Sequence, residues 1–140
     1  MRLRKNAKVD LIKGVPLFSE LGHKELDEVA GIADEIDLPG GKELTVEGRP
    51  GREFMVIVEG EATVRRGDHE INRLGAGDFF GEIALIYENA RRTATVTSAS
   101  PLRFFVLTRQ SFRSLLEHQP EIEDKVMAAL EERLGSDSSD

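Results

Sequence analysis

The chain has 140 residues, of which 39% are hydrophobic and 32% charged, so its length and composition are typical of a single globular domain with an apolar core. Its formal net charge of −7 argues against nucleic acid as a partner, because that binding depends on many cations that neutralise phosphates. There is no cysteine for disulfides and no apolar run near the roughly 20 residues of a membrane span, so we expect a cytoplasmic location.

The N-terminal part is predicted to be helical. Residues 1–14 form a basic lead-in, and residues 2–13 have the mixed basic and apolar character of a short helix. A helix that packs Leu11 and Ile12 is favoured over one that lies on a membrane or binds a partner. Leu26, Val29 and Ala30 recur at helical spacing, which predicts an amphipathic helix over residues 23–35.

From residue 39 onwards the pattern changes to strands and turns. A Pro-Gly-Gly turn at 39–41 is followed by short apolar or alternating segments that predict strands around 44–46, 54–58, 62–65, 69–74, 93–97 and 102–107. Most of these strands end at a glycine-rich turn, and Gly67-Asp68 is typical of a hairpin. Short strands at regular spacing favour an antiparallel barrel or jelly roll.

The C-terminal part returns to helical spacing. Thr108 precedes an apolar pattern that predicts one helix, and Pro120 interrupts that pattern. A second apolar stripe predicts a helix over residues 121–134 that ends at Gly135, followed by a disordered tail at 135–140.

One stretch carries the chemistry. Residues 80–85 read Phe-Gly-Glu-Ile-Ala-Leu, and residues 91–96 read Arg-Arg-Thr-Ala-Thr-Val. Glycine allows a close backbone approach, a helix start attracts an anion, and a guanidinium matches two phosphate oxygens. A carboxylate beside them can accept a hydrogen bond from a ribose hydroxyl. These residues therefore predict a cradle for a phosphorylated sugar.

This stretch closely resembles the phosphate-binding cassette of the cyclic nucleotide-binding domain family. That family includes kinase regulatory subunits, nucleotide-gated channels and the bacterial catabolite activator protein. The resemblance covers residues 15–134 and implies a mainly β fold with flanking helices. This fold is an antiparallel β-roll (a double-stranded β-helix, or jelly roll) with N-terminal helices, a C-terminal hinge helix and a lid helix at about 121–134.

The resemblance also implies the binding residues. Glu82 would bind the ribose 2′-hydroxyl, and Gly81 and Ala84 would offer backbone N–H groups. Arg92 would bind the cyclic phosphate, with Arg91 as the alternative because the preceding loop is about one residue longer than in kinase-type members. The hydroxyl of Thr93 would bond the phosphate or a guanine amino group. The predicted site is Gly81, Glu82, Ile83, Ala84, Arg92 and Thr93, although Ile83 and Leu85 are most simply core residues.

The implied function is a sensor that binds a 3′,5′-cyclic nucleotide, with cyclic AMP favoured over cyclic GMP, and that switches the lid helix without catalysis. It needs no cofactor, and its output would pass to an effector outside the chain or through a homodimer of lid helices. The alternatives are a degenerate domain of the same fold that binds only proteins, and a truncated sensor. A jelly-roll metalloenzyme is disfavoured, because His23, His69 and His118 lack metal-ligand spacing.

Overall fold

The computed structural model describes residues 5–137, with side chains described within residues 7–132. The chain divides into two compact units: the described residues up to 32 together with those from 111 onwards, and residues 33–110. The first unit is helical and the second contains all the strands of the described chain. The predicted fold class, a β-roll with flanking helices, is confirmed.

The roll consists of two four-stranded antiparallel sheets. The first sheet has the order β1-β8-β3-β6 and the second has the order β2-β7-β4-β5. The strands are β1 (Asp34–Leu38), β2 (Glu43–Thr45), β3 (Glu53–Glu59), β4 (Ala62–Arg66), β5 (His69–Leu74), β6 (Phe79–Phe80), β7 (Thr95–Ser98) and β8 (Leu102–Thr108). Strands adjacent in space but distant in sequence, such as β3 and β8, build the scaffold that holds the connecting loops.

Side chains from both sheets form the core of the roll. The cluster includes residues of β3 and β8 from the first sheet and of β4 and β7 from the second: Met55, Ile57, Ala62, Val96, Leu102, Phe104 and Val106. Residues along β7 alternate between half-buried and buried positions, so the second sheet buries mainly one face there, whereas β3 and β8 of the first sheet have four consecutive buried residues and are covered on both faces. This buried layer fixes the positions at which the site-bearing loops begin.

The helical unit contains α1 (Lys5–Lys13), α2 (His23–Gly31), most of α3 (Arg109–His118) and α4 (Pro120–Asp137), with a 3₁₀ helix at Pro16–Phe18. The rings of Phe18 and Phe112 meet edge to face, with centroids 5.8 Å apart. Ile12 is fully buried and Leu11 half-buried, so α1 packs into this unit through its apolar side. Ile122 and Val126 bury the apolar stripe of α4.

Two predicted helix ends differ from the structure, and one strand was missed. The helix predicted over 23–35 ends at Gly31, and the strand β1 follows, because residues 34–38 pair in register with β8. That long-range pairing outweighs local sequence pattern, which is weak in this acidic segment. The two-residue strand β6 was not predicted. The last helix continues through Gly135 to Asp137, so the first part of the predicted tail is helical, and residues 138–140 lie outside the described residues.

Candidate functional site

The roll contains a cavity of about 390 Å³. Its walls come from β4, β5, β6, the cassette turn and the segment before β7. All the residues that the sequence predicted for the site, including Arg91, line it: Gly81, Glu82, Ile83, Ala84, Arg91, Arg92 and Thr93. The structure therefore brings both halves of the motif, which are separated by a loop in the sequence, to one place.

The first half of the motif is a tight turn that begins at a left-handed backbone position. Gly81 has φ +85° and ψ 14°, a left-handed conformation that side chains disfavour, and a 3₁₀ helix at Glu82–Leu85 follows. A Cβ atom at Gly81 would lie 2.5 Å from Nη1 of Arg92 and 2.7 Å from the main-chain oxygen of Glu53. Only glycine fits, because both the backbone angle and the space exclude a side chain.

Burial of Leu85 and Glu82 fixes the 3₁₀ helix. Leu85 is 1% exposed and anchors the turn in the core, as predicted. Glu82 is only 7% exposed and lines the cavity. A buried carboxylate carries a large desolvation cost, so its position at a cavity wall is typical of a functional group.

Two details of this turn differ from expectation. Ile83 is 40% exposed and lines the cavity, so its interpretation as a core residue is wrong. The 3₁₀ turn projects this side chain outward while Ala84 and Leu85 point inward. The backbone N–H of Ala84 was predicted to face the ligand. It donates instead to the main-chain oxygen of Gly81 at 3.0 Å and closes the turn.

The second half of the motif is held by a neighbouring loop. The N–H of Gly48 donates to the oxygen of Arg92 at 2.8 Å, and the N–H of Arg92 donates to the oxygen of Arg49 at 2.8 Å. The N–H of Gly51 donates to the oxygen of Ala90 at 2.9 Å. These bonds fix the backbone from which the arginine side chain projects.

The guanidinium of Arg92 lies in a narrow slot. A Cβ at Gly51 would come within 2.7 Å of its Nε, and Gly81 borders it on Nη1. Its Nη2 donates to the main-chain oxygen of Glu53 at 2.9 Å and lies 3.7 Å from Oε1 of that residue. The side chain is 10% exposed. Burial lowers the pKa of Arg92, and the charge of Glu53 opposes this effect.

Arg91 has a different environment. It is exposed, and its Nη1 donates to the main-chain oxygen of Gly48 at 2.9 Å. Arg92, by contrast, is enclosed beside Gly81 of the cassette. A partly desolvated cation interacts with an anion more strongly than an exposed one, because less water screens the pair. The geometry therefore favours Arg92 over Arg91 as the anion ligand.

Thr93 stands directly after the arginine pair and before β7. It is exposed and lines the cavity, and its main-chain oxygen accepts a hydrogen bond from Nε of Arg66 at 3.2 Å. This contact ties the end of β4 to the second half of the motif. Thr93 therefore lines the cavity on a segment that this contact holds to β4.

Sequence reasoning missed four residues at the site. Thr45 and Asn72 line the cavity from β2 and β5, whereas Gly51 and Glu53 enclose Arg92. Gly51 was predicted only as a turn residue. No local signal marks Thr45 or Asn72, because their role depends on pairing between strands distant in sequence. Within residues 5–137, the structure has no helix long and apolar enough to cross a membrane, and no cluster of three metal-ligating side chains.

Comparison with known proteins gives consistent relatives. A family model for the cyclic nucleotide-binding domain matches residues 35–119. A cyclic nucleotide-gated potassium channel of Rhizobium etli is 37% identical over 125 residues, which cover 89% of this chain and 35% of the channel. A cAMP-dependent protein kinase regulatory subunit of Mycosarcoma maydis is 35% identical over 111 residues, which cover 73% of this chain and 21% of that protein.

A solved structure has a similar fold. The N-terminal domain of a transcriptional regulator from Streptomyces coelicolor superposes with a TM-score of 0.83 at 26% identity, over 91% of this chain and 92% of that one. The chain spans about a third or less of the two curated relatives, 35% of one and 21% of the other.

Proposed function

The chain belongs to the cyclic nucleotide-binding domain family, and from this premise we propose that it binds a 3′,5′-cyclic nucleotide in the cavity lined by Gly81, Glu82 and Arg92. One observation carries the proposal: the largely enclosed guanidinium of Arg92 and the buried carboxylate of Glu82 line the same cavity, and Gly81 lies beside both of them with no space for a side chain. A cyclic nucleotide carries an anionic phosphate and a ribose hydroxyl on one rigid ring, which matches this pair.

Arg92 is the phosphate ligand in this proposal. Its Nη2 is occupied by the main-chain oxygen of Glu53, and its Nη1 lies beside Gly81 of the cassette. The guanidinium is therefore already oriented, so little rotamer entropy is lost when an anion binds. The net charge of −7 does not oppose this, because a cyclic phosphate carries one charge and one partly buried cation can neutralise it.

Glu82 is the ribose ligand. As a carboxylate it can only accept hydrogen bonds, so it selects a hydroxyl donor and rejects a second anion. Ile83 and the other apolar residues of the cavity would contact the sugar and base without setting the identity of the base. Gly81 provides the close backbone approach, and Ala84 contributes its small side chain to the wall.

We expect cyclic AMP to bind more tightly than cyclic GMP. The relative from Mycosarcoma maydis is named as a cAMP-dependent kinase subunit, which supports this order. Thr93 directly follows Arg92 and lines the cavity, and its hydroxyl would bond the phosphate or a guanine amino group. In this proposal the hydroxyl bonds the phosphate rather than a guanine amino group.

The output of binding is a population shift, and the chain is a non-catalytic regulatory domain of the cytoplasm. Binding stabilises the arrangement of hinge helix α3 and lid helix α4 that has the higher affinity for the nucleotide, and only this difference in affinity drives the switch. The effector is a further domain or a partner protein. The relatives are a channel, a kinase subunit and a transcriptional regulator, so each supports a regulatory role rather than a catalytic one.

Thermal unfolding with ligands tests the proposal. A ligand that binds only the folded state at about 100 times its dissociation constant stabilises it by about 2.7 kcal/mol. We expect cyclic AMP to raise the melting temperature more than cyclic GMP, and linear 5′-AMP to raise it least. If none of the three nucleotides changes the melting temperature, the proposal is wrong and the chain is better described as a protein-interaction module of the same fold.

A further inference from the structure

The position of Arg92 depends on the loop between β2 and β3. Gly48 and Arg49 hold both main-chain polar groups of Arg92, at 2.8 Å each, and Gly51 holds the residue two positions before it. The side chain of Arg92 also packs against Gly51. The loop therefore positions Arg92, and any interaction that fixes the loop relative to β7 also fixes the guanidinium.

The side chain of Thr45 joins β2 to the start of β7. The register between these strands is irregular from Glu43 to Thr45, so the regular main-chain ladder is interrupted there. The hydroxyl of Thr45 donates to the oxygen of Ala94 at 3.1 Å and accepts from the N–H of Val96 at 3.1 Å. Thr45 is 6% exposed and lines the cavity.

A second hydroxyl continues this connection. Oγ1 of Thr95 accepts a hydrogen bond from the N–H of Glu47 at 3.0 Å. Two threonine side chains thus replace ladder bonds at the point where β2 becomes the loop that holds Arg92. The backbone oxygen that Thr45 binds belongs to Ala94, only two residues after Arg92.

We propose that Thr45 is a positioning residue for Arg92: its hydroxyl sets the offset between β2 and β7, and hence the place of the guanidinium in the cavity. This inference rests on the proposed function. Thr45 acts through the backbone and not by contact with the phosphate, because its hydroxyl already has two partners. Removal of the hydroxyl takes away the hydrogen bonds from Thr45 to the N–H of Val96 and to the oxygen of Ala94. The offset between β2 and β7 is then less fixed, so the loop that holds Arg92 can shift.

Ser98 offers a matched control on the same pair of strands. Its hydroxyl is also buried, at 1% exposure, donates to the oxygen of Pro39 at 2.7 Å and accepts from the N–H of Lys42 at 2.9 Å. It lies at the opposite end of β7 from Arg92, and it does not line the cavity. Loss of this hydroxyl should destabilise the fold without moving the arginine.

The test compares Thr45→Val, Thr45→Ser and Ser98→Ala by calorimetric titration with cyclic AMP, together with the melting temperature of each. We expect Thr45→Val to weaken binding about tenfold, which corresponds to about 1.4 kcal/mol. Thr45→Ser keeps the hydroxyl and should bind within about twofold of the wild type, and Ser98→Ala should lower the melting temperature with unchanged affinity. Wild-type affinity in Thr45→Val, or an equal loss in Ser98→Ala, would overturn the inference.

Amide hydrogen exchange separates this inference from the proposed function, because it needs no ligand. In the unliganded protein, we expect the amides of Gly48, Gly51 and Arg92 to exchange faster in Thr45→Val than in Ser98→Ala. If the wild type binds no cyclic nucleotide but these amides lose protection, the proposed function fails while the coupling of Thr45 to the Arg92 backbone stands. Unchanged exchange at all three amides in Thr45→Val would refute the coupling whether or not the protein binds cyclic AMP.

Discussion

Arg92 is hydrogen bonded through Nη2 to the main-chain oxygen of Glu53 at 2.9 Å, and the carboxylate of the same residue lies 3.7 Å away. One residue thus holds the guanidinium twice, once by a neutral acceptor and once by a charge. The first contact fixes its direction, and the second keeps a partly buried cation compensated when no anion is bound. An arriving phosphate therefore meets an arginine that is already oriented.

Replacement of Arg92 by alanine should greatly weaken nucleotide binding. It removes the charge and leaves a bound phosphate without its main partner, at a cost of about 2–5 kcal/mol. This corresponds to an increase of roughly thirty-fold to several-thousand-fold in the dissociation constant for cyclic AMP, measured by calorimetry. Arg91→Ala removes an exposed cation and should cost less than about 1 kcal/mol. The reverse order of the two effects would show that Arg91 is the phosphate ligand.

The two glycines around Arg92 should respond differently to alanine. Gly81→Ala creates a left-handed alanine and a clash with the main chain of Glu53, so it should lower both affinity and stability, the latter by about 1–2 kcal/mol from the backbone angle alone. The atoms nearest to an added Cβ at Gly51 all belong to the flexible side chain of Arg92, so Gly51→Ala should lower the affinity with a smaller effect on stability.

Gly41→Ala is the control for backbone strain. Gly41 has the same φ of +85° as Gly81, but an added Cβ there meets no atom within 4 Å. Gly41→Ala should therefore lower the midpoint of urea unfolding, while its affinity for cyclic AMP stays at the wild-type value. The account of the Arg92 slot is contradicted if Gly51→Ala binds as tightly as Gly41→Ala.

The role of Glu82 can be isolated with a modified ligand. In the wild type, loss of the ribose hydroxyl in 2′-deoxy cyclic AMP should cost about 1.5–3 kcal/mol, the value of a hydrogen bond to a charged group. In Glu82→Ala the same change should cost almost nothing, because the acceptor is already absent. Calorimetric titration of the two proteins with the two ligands measures this coupling, and additive effects would mean that Glu82 does not bind the hydroxyl.

Glu25 should make the helical unit sensitive to acid. Its carboxylate accepts hydrogen bonds from Nζ of Lys125 at 2.6 Å and from the N–H of Gly22 at 2.9 Å, which cap α2 and connect it to α4. Lys125 and then the Gly22 amide lower the pKa of Glu25, while burial opposes them. A carboxylate whose pKa is lower in the folded than in the unfolded state stabilises the fold at pH values above its unfolded-state pKa. This stabilisation is lost as the pH falls through the folded-state pKa.

The corresponding test compares wild type and Glu25→Gln by urea unfolding. The wild type should have the larger free energy of unfolding at neutral pH. The difference between the two proteins should shrink below about pH 4.3, the ordinary pKa of a glutamate, because protonation of Glu25 removes the charge that Glu25→Gln also removes. Glu28→Gln changes an exposed carboxylate on the same helix and serves as the control. A difference that stays constant down to about pH 3 would show that the ion pair does not stabilise the fold.

The cassette could be predicted from the sequence because its chemistry is contiguous. Gly81 and Glu82 are neighbours, and the arginine pair follows after one short loop. The local pattern was therefore enough to predict that these residues lie at one site. The strands of the roll were mostly predicted for the same reason, since their apolar alternation and glycine turns are local signals.

The rest depended on contacts between distant segments. The first two residues of β1, at 34 and 35, were predicted as the end of a helix because this acidic segment becomes a strand only through pairing with β8. Glu53 and Thr45 were missed because each contacts the arginine segment from about 40 to 50 residues away. Arg91 and Arg92 could not be told apart from the sequence, because their different surroundings depend on the distant loop at 48–51, which encloses the side chain of Arg92 and leaves that of Arg91 exposed.

Calorimetric titration of the wild-type chain with cyclic AMP and, separately, with cyclic GMP tests the central claim most directly. We predict one site per chain with a dissociation constant in the micromolar range or tighter, about −8 kcal/mol or more favourable, and weaker binding of cyclic GMP. Absence of heat and of any thermal shift with both nucleotides would contradict the claim. The cavity would then not be a nucleotide site, despite the geometry of Arg92 and Glu82.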